Sequence, residues 1–243
     1  MTEILEASGA TAISFPTISI EPPSNPEALH TAMRSASYDW VVLTSTNAVT
    51  ALEAARLELG VDRSPWPGPA TRFCAVGPGT AAALSAAGLT PEIVPSEFVG
   101  ESVLEALLEA DGNLERRRIL IPRAAEARDV IPDGLRAAGA TVDVIEAYRT
   151  TPVEADAEST RRLARLLDGG EVDVVTFTSS STVRAFRAMF GDEMGGFLVA
   201  TIGPATSATA RESGYEVAVE AEEYTISGLV RALESYYAED ATE

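Results

Sequence analysis

The segment AVGPGTAAALSAAG has the residue types of a phosphate-binding turn. A strand-like run, Phe73–Val76, leads into Gly77-Pro78-Gly79, and an alanine-rich helix is predicted to follow. A dinucleotide fingerprint also needs a third small residue and an acidic residue about 20 positions further on. Glu97 or Glu101 could supply the acid, but a glycine pair enclosing a proline is weak evidence. The turn alone leaves a nicotinamide oxidoreductase open.

The composition argues against several kinds of chemistry. The chain has one cysteine, Cys74, and one histidine, His30, which excludes an internal disulfide and disfavours zinc sites and Ser-His-Asp hydrolysis. Cys74 lies in the strand-like run and is predicted to be a buried apolar residue, whereas His30 follows a proline-rich segment and is predicted to lie on the surface.

The charge is strongly negative, at −19, and all 18 basic residues are arginine. Such a chain repels phosphate backbones at long range, so we expect no nucleic-acid partner. No apolar run reaches the roughly 18 residues of a membrane span, and the first residues lack the pattern of a secretory signal. We therefore expect a cytoplasmic protein without a membrane partner.

The chain contains an internal repeat, which shows as three pairs of similar segments in the same order with similar gaps. Similarity of one pair could be chance, but three in register indicate duplication. The pairs are DWVVLTSTNAVTAL with VDVVTFTSSSTVRAF, FCAVGPGTAAALSAAG with LVATIGPATSATARESG, and FVGESVLEAL with YTISGLVRAL.

Each repeat predicts strands alternating with helices. The runs WVVLT, DVVTFT, RILIP and LVATI are short, apolar and rich in β-branched residues, as strands of a parallel sheet buried on both faces are. Polar turns containing Ser, Thr or Asn follow the strands and supply helix N-caps. This pattern predicts an α/β fold of two similar, doubly wound parallel-sheet lobes.

Two proline-containing segments, Ile20–Ala28 and Tyr148–Asp156, flank the first lobe and are predicted to cross between the lobes. Residues before Ile20 read as a helix end and a strand that belong with the C-terminal half. The predicted division is a discontinuous lobe, 1–19 with 153–243, an inserted lobe, 25–147, and a connector, 20–24 and 148–152. Because ligands of open α/β sheets bind beyond the strand carboxyl ends, a cleft between the two such edges is expected.

These motifs together resemble the uroporphyrinogen-III synthase family. The resemblance extends over nearly the whole chain, and the run RDVIPDGLRAAGATVDVIEAYRT is its most telling part. It implies two α/β lobes joined by a two-stranded connector. The family pattern opens with a strand and a Thr-Arg-like turn, whereas this chain starts inside the following helix, so that strand is expected to be absent and the activity of this chain is in question.

The resemblance implies a lyase that cyclises hydroxymethylbilane, a linear tetrapyrrole with eight carboxylates, with inversion of the terminal ring and loss of water. The electron-rich pyrroles supply the driving force, so no cofactor and no metal is expected. The enzyme would be a monomer that acts in porphyrin and haem biosynthesis.

Carried over from the family, Tyr148 is the candidate catalytic residue. A phenol near the lobe crossing could protonate the departing hydroxyl. The alternative is a connector tyrosine that only packs the hinge.

The substrate carboxylates would be bound by helix N-termini and hydroxyl groups, because these groups bind anions without requiring a basic surface. Capping of the helices alone is the simpler interpretation of any one such residue. Arg123, directly after ILIP, could pair with a carboxylate, whereas Arg116–Arg118 are predicted to form a solvated turn. The substrate-binding candidates are Thr44, Ser45, Asn47, Gly79, Thr80, Gly100, Arg123, Ser179, Ser181, Ala205, Thr206, Thr225 and Ser227.

Two other functions stay open at this point. A two-lobe binding or sensor protein without catalysis would share the cleft and the hinge. A nicotinamide oxidoreductase is weakened because the second Gly-Pro turn has Ala205 in place of the second glycine.

Overall fold

The computed structural model describes residues 1–35, 38–60, 68, 70–95, 100–127, 129–153, 157–191 and 196–240, in which short strands alternate with helices. In chain order the elements are α1 (Thr2–Ala7), β1 (Ile18–Glu21), α2 (Pro26–Ser35), β2 (Trp40–Leu43), α3 (Thr46–Glu58), β3 (Arg72–Ala75), α4 (Pro78–Ala86), β4 (Pro91–Ile93), α5 (Gly100–Asp111), β5 (Arg118–Ala124), α6 (Val130–Ala137), β6 (Thr141–Pro152), α7 (Ala157–Asp168), β7 (Val174–Phe177), α8 (Ser180–Phe190), β8 (Leu198–Thr201), α9 (Pro204–Glu212), β9 (Val217–Glu220) and α10 (Ile226–Asp240).

The chain divides into two compact units. The inserted unit is Ile20–Thr150, and the discontinuous unit is Met1–Ser19 together with Thr151–Glu243. The sequence analysis predicted that residues 20–24 and 148–152 form the connector. In the structure the two strands that contain residues of these segments, β1 and β6, are hydrogen-bonded neighbours, and each extends across a unit boundary.

The larger sheet has the strand order β1-β6-β5-β2-β3-β4. The pairs β6–β5, β5–β2, β2–β3 and β3–β4 are all parallel, as the apolar strand sequences predicted. Parallel neighbours need a crossover, and the intervening helices supply it.

Strand β2 shows why this sheet is covered on both faces. Its four side chains have no exposed surface, and alternate residues enter different hydrophobic clusters. Val41 and Leu43 pack in the cluster that contains residues of α2, α3 and α4, whereas Trp40 and Val42 pack in the one that contains residues of α5 and α6. Because strand side chains alternate in direction, a four-residue apolar strand stabilises both layers, by about 1.5–3 kcal/mol for each large side chain.

The discontinuous unit contains the parallel sheet β7-β8-β9. One face is covered by an aromatic cluster that includes Phe177, Phe186 and Tyr215, with ring centroids 5.5–6.3 Å apart. The other face packs against Leu229 and Leu233 of α10. The α/β class and the parallel sheets predicted from the sequence are confirmed.

Two local predictions are corrected by the structure. The strand predicted before Ile20 starts only at Ile18, because in the described sheets no strand pairs with residues 10–17. The prediction that His30 lies on the surface is wrong: its side chain is 11% exposed, with Nε2 3.2 Å from Glu58 Oε2 and Nδ1 3.5 Å from Glu27 Oε1. Leu29 of α2 is buried in the core, which places His30 at the border with α3.

A buried carboxylate organises the amino-terminal edge of the larger sheet. Asp111 ends α5 and its side chain is 3% exposed. It pairs with Arg72 and Arg117, and Trp40 Nε1 donates to it at 3.2 Å. A carboxylate is unfavourable at a helix C-terminus, and two guanidinium groups outweigh that cost here. Arg117, predicted to lie in a solvated turn, keeps 41% of its side chain exposed, and the structure adds to that prediction its ion pairs with Asp111 and Asp39.

A buried phenol belongs to the same edge. Tyr38 donates to Asp143 at 2.9 Å, and the guanidinium of Arg118 lies 4.9 Å from the centre of its ring. Burial, and then the hydrogen bond to Asp143, raise the pKa of Tyr38 to about 12. Arg118 also pairs with Asp143 at 2.9 Å; its side chain is 43% exposed, but the residue begins β5 and is not part of a turn.

No helix within these described ranges combines the length and the apolar character that crossing a membrane requires.

Asp111→Asn is expected to lower the free energy of unfolding by about 2 kcal/mol, because Arg72 and Arg117 each lose the more buried of the two carboxylates with which they pair. Urea unfolding followed by fluorescence measures this change. Asp133→Asn is the control: Asp133 is 71% exposed and pairs with Arg136 at 3.4 Å, and its loss should change stability by less than about 0.5 kcal/mol. Equal midpoints for both variants would contradict the role of Asp111.

Tyr38→Phe should reduce the loss of stability in alkali. The pKa of Tyr38 is raised from 10.0 to about 12 in the folded chain. The protonated phenol therefore contributes fully to folding stability below pH 10.0, and that contribution is lost as the pH rises from 10.0 to about 12. The measurement is the urea midpoint between about pH 9 and about pH 11.5. The midpoint of the original chain should fall further than that of the variant; parallel curves would refute the assignment.

Candidate active site

The polar turns of the inserted unit lie at one edge of its sheet. In the parallel pairs Leu43 lies beside Ala75, and Ala124 lies beside Tyr148. The turn after β2, the Gly-Pro turn after β3 and Tyr148 therefore all lie towards the strand carboxyl ends. The network around Asp111 lies at the opposite edge.

Ser45 connects the turn after β2 with Tyr148. Its backbone is extended, with φ −156° and ψ 156°, and its Oγ caps α3 by accepting the N–H of Ala48 at 3.2 Å. The same Oγ lies 2.9 Å from Tyr148 Oη. The serine thus joins a helix N-terminus to a phenol.

A β-bulge directs Tyr148 towards this turn. The register between β5 and β6 shifts after Arg123, which pairs with Glu146, so that Ala124 pairs with Tyr148 and Ala147 is the additional residue. Ala147 and Tyr148 consequently enter the same hydrophobic cluster, whereas consecutive strand residues normally face opposite ways. The ring is held in the core, with 8% of the residue exposed.

The two Gly-Pro turns have the same form. Gly77 and Gly203 are both extended, with φ −160° and 162°, and Pro78 and Pro204 each begin a helix. Neither helix has a side-chain cap. No side-chain oxygen therefore occupies the first-turn N–H groups of α4 and α9, although in α9 the N–H of Thr206 donates to Gly203 O at 3.1 Å. Helix starts without a side-chain cap are suited to bind an anion.

The discontinuous unit repeats the other turns as well. Ser179 has φ −164° and ψ 157° and caps α8 by accepting the N–H of Thr182 at 3.3 Å. Its Oγ lies 2.9 Å from Ser181 Oγ. Thr225 caps α10 by accepting the N–H of Gly228 at 2.9 Å. Capping is therefore part of what these predicted ligands do.

A hydroxyl network ties the turns of the discontinuous unit together, and the sequence analysis missed it. Thr209 Oγ1 lies 2.8 Å from Ser180 Oγ, and both hydroxyls lie 3.1 Å from Ala205 O. Thr201 and Ser207 share a buried contact of 2.6 Å. The sequence did contain a signal for this network. When the repeat segment LVATIGPATSATA is aligned with FCAVGPGTAAAL, threonine or serine stands at positions where the first segment of the chain has alanine.

The remaining predicted ligands differ in exposure. Thr80 and Thr206 are buried, 6% and 5% exposed, and the N–H of Thr206 donates to Gly203 O at 3.1 Å. Thr44 is half-buried in the turn after β2, Asn47 is half-buried in the first turn of α3, and Ser227 is exposed in the first turn of α10.

Gly100 and Arg123 have contacts that the sequence did not indicate. A Cβ on Gly100 would lie 2.9 Å from Val130 Cγ1, so this glycine allows α5 and α6 to approach closely. Arg123 pairs with Asp129, and its side chain is 11% exposed. Glu97, the possible acid of a dinucleotide site, lies outside the described residues.

Cys74 is fully buried, as predicted. Burial raises the pKa of its thiol to about 12, so it stays protonated and unreactive at neutral pH. In the part of the chain that the structure describes, no three His, Cys, Asp or Glu residues are grouped so that they could hold a metal ion.

Comparison with known proteins decides the family. A family model described as uroporphyrinogen-III synthase HemD matches residues 1–231. The chain belongs to the uroporphyrinogen-III synthase family. It is 34% identical to the uroporphyrinogen-III synthase of Synechococcus elongatus over 96% of this chain and 88% of that protein.

Solved structures support the fold of this family member. A mutant uroporphyrinogen III synthase from the extremely thermophilic bacterium Thermus thermophilus matches with a TM-score of 0.66 and 23% identity, over 100% of this chain and 94% of that one. The uroporphyrinogen-III synthetase of Helicobacter pylori matches with a TM-score of 0.60 and 16% identity, over 93% and 95%.

Gly203→Ala should destabilise the second Gly-Pro turn by about 1–3 kcal/mol, because the new Cβ would lie 2.9 Å from Tyr224 Cδ1. Gly79→Ala is the matched control: its Cβ would meet nothing nearer than Thr46 Cγ2 at 3.9 Å, and the repeat already has alanine at the equivalent position, 205. Thermal unfolding compares the variants. Equal loss in both would show that the tyrosine contact is not what requires glycine at 203.

Proposed function

We propose that this chain closes hydroxymethylbilane to uroporphyrinogen III, with Tyr148 as the proton donor. The observation that supports this role best is the Ser45–Tyr148 contact of 2.9 Å at the sheet edge that also holds the Gly-Pro turn of the inserted unit, in a chain of the uroporphyrinogen-III synthase family. Nothing observed favours a sensor protein or an oxidoreductase.

The first chemical task is the loss of water. When the bond between the terminal hydroxymethyl carbon and its oxygen breaks, a proton from Tyr148 Oη converts the leaving hydroxide into water. The electron pair of the adjacent pyrrole stabilises the resulting cation. Attack by the substituted carbon of the terminal ring gives a spiro intermediate, and its rearrangement inverts that ring. Ring closure then releases a carbon-bound proton, which restores the phenol.

The second task is binding a polyanion on a protein that is itself negative. The overall charge of −19 repels the substrate at long range, so attraction must be local. The uncapped first turns of α4 and α9 offer backbone N–H groups, each helix N-terminus contributing about 0.3–1 kcal/mol. In the inserted unit the other ligands are Thr44, Asn47, Thr80, Gly100 and Arg123, with Gly79; in the discontinuous unit they are Ser179, Ser181, Ala205, Thr206, Thr225 and Ser227.

The third task is to choose the product isomer. Closure at the unsubstituted carbon of the terminal ring would give the symmetric type I product. Holding the carboxylates at fixed turns restricts the ring to the geometry in which its substituted carbon is attacked.

We expect the enzyme to be a cytoplasmic monomer that binds no nucleic acid. The large negative charge opposes association of two copies and approach to a phosphate backbone. Sedimentation equilibrium tests the oligomeric state.

The direct test is incubation of the purified chain with hydroxymethylbilane, followed by chromatographic separation of the type I and type III products. A type III fraction above that of the protein-free reaction supports the proposal. The type I product alone, with tight binding of hydroxymethylbilane, would instead indicate a binding protein.

Tyr148→Phe should lower kcat about tenfold to a hundredfold and raise the type I fraction, because the leaving hydroxyl loses its proton donor. Tyr38→Phe is the matched control, since Tyr38 is also a buried, hydrogen-bonded phenol of the inserted unit but lies at the opposite sheet edge. That variant should keep its turnover near neutral pH. Normal turnover and isomer yield in Tyr148→Phe would reduce Tyr148 to a packing residue.

A further inference from the structure

We propose that Ser45 is a positioning residue for Tyr148: the hydroxyl that caps α3 also holds the phenol in its reactive position. This inference rests on the proposed role of Tyr148. It assigns to Ser45 a task other than binding a substrate carboxylate.

The hydrogen-bonding capacity of Ser45 supports this assignment. A serine hydroxyl has one donor and two acceptor sites. One acceptor site receives the N–H of Ala48 at 3.2 Å, and a second position faces Tyr148 Oη at 2.9 Å. Two of the three sites are thus occupied within the protein, one of them by the phenol.

Both partners are held in place by the fold. The cap fixes Ser45 at the end of β2, and the β-bulge at Ala147 brings the ring of Tyr148 into the core cluster that covers the same face. The ring is 8% exposed, so the remaining freedom of the phenol is mainly the direction of its O–H bond. The contact with Ser45 uses one hydrogen-bonding position of Tyr148 Oη. The remaining hydrogen-bonding positions of this oxygen point away from the serine.

The internal repeat separates this task from capping. Ser179 caps α8 with nearly the same backbone geometry as Ser45, φ −164° and ψ 157° against −156° and 156°. Its hydroxyl lies 2.9 Å from Ser181 Oγ and 3.4 Å from Thr182 Oγ1. The serine cap therefore occurs in both halves of the repeat. The hydroxyl of Ser45 contacts a phenol, whereas the hydroxyl of Ser179 contacts other hydroxyl groups.

Four variants test the inference: Ser45→Ala, Ser45→Gly, Ser45→Thr and Ser179→Ala. Glycine is nearly as good an N-cap as serine, so Ser45→Gly removes the hydroxyl while keeping most of the cap, and Ser45→Thr keeps both. Steady-state kinetics with hydroxymethylbilane, the type III fraction and the urea midpoint are measured for each.

Ser45→Ala and Ser45→Gly should both lower kcat about tenfold with KM changed less than about twofold, because a misplaced phenol affects the chemical step rather than binding. Ser45→Thr should recover kcat to within about threefold. Ser179→Ala should lower the urea midpoint as Ser45→Ala does, but raise KM instead of lowering kcat. Adding Ser45→Gly to Tyr148→Phe should cause no further loss, since two residues that act together are non-additive.

The outcomes distinguish this inference from the proposed function. Normal kcat in Tyr148→Phe overturns the role of Tyr148, and the inference with it. A slow Tyr148→Phe with normal kcat in Ser45→Gly overturns the inference alone. Failure of Ser45→Thr to recover activity, or an equal fall of kcat in Ser179→Ala, would also overturn it, because then the cap and not the phenol contact matters.

Discussion

Parallel pairing of short, fully buried strands is the constraint on which this molecule depends. Because β2 to β6 run in one direction, β2, β3, β4 and β5 end at the same edge of the sheet, and α3 and α4 begin there directly after β2 and β3. Uncapped N–H groups, capping hydroxyls and the phenol of Tyr148 are gathered at that edge. The strands can be parallel only because apolar residues on both faces let helices cover the sheet on both sides.

The two edges of the inserted sheet have different tasks. The amino-terminal edge holds Asp111, Arg72 and Arg117 in a half-buried ionic network, together with Tyr38 and Asp143. All of these groups satisfy one another, so they stabilise the unit and have little capacity left for a ligand. The carboxyl-terminal edge differs, because the first turn of α4 has no side-chain cap. Its uncapped backbone N–H groups lower stability, but they are available to a carboxylate of a ligand.

The two halves of the repeat have diverged around a common backbone. In the inserted unit three positions close in sequence to the Gly-Pro turn hold Ala75, Ala81 and Ala83; the equivalent positions in the other unit are Thr201, Ser207 and Thr209. Thr201 bonds to Ser207, and Thr209 bonds to Ser180 and to Ala205 O, which ties the starts of α8 and α9 together. The inserted unit instead has Ser45 bonded to Tyr148. The duplicated turns are thus suited to similar ligands, while the phenol chemistry belongs to one half.

The sequence by itself determined the class of fold, the parallel sheets and the duplicated turns, because strand hydrophobicity, helix caps and Gly-Pro signals are local and recur in order. It also led to the family and to Tyr148. It did not show how Tyr148 reaches Ser45, since that depends on the bulge at Ala147, a register choice between β5 and β6 that no local pattern encodes. Nor did it show that His30 is buried or that Arg117 and Arg118 pair with acids, because an isolated charge or imidazole carries no signal of its partners. Those contacts join residues far apart in the chain, and only the packing of the tertiary structure brings them together.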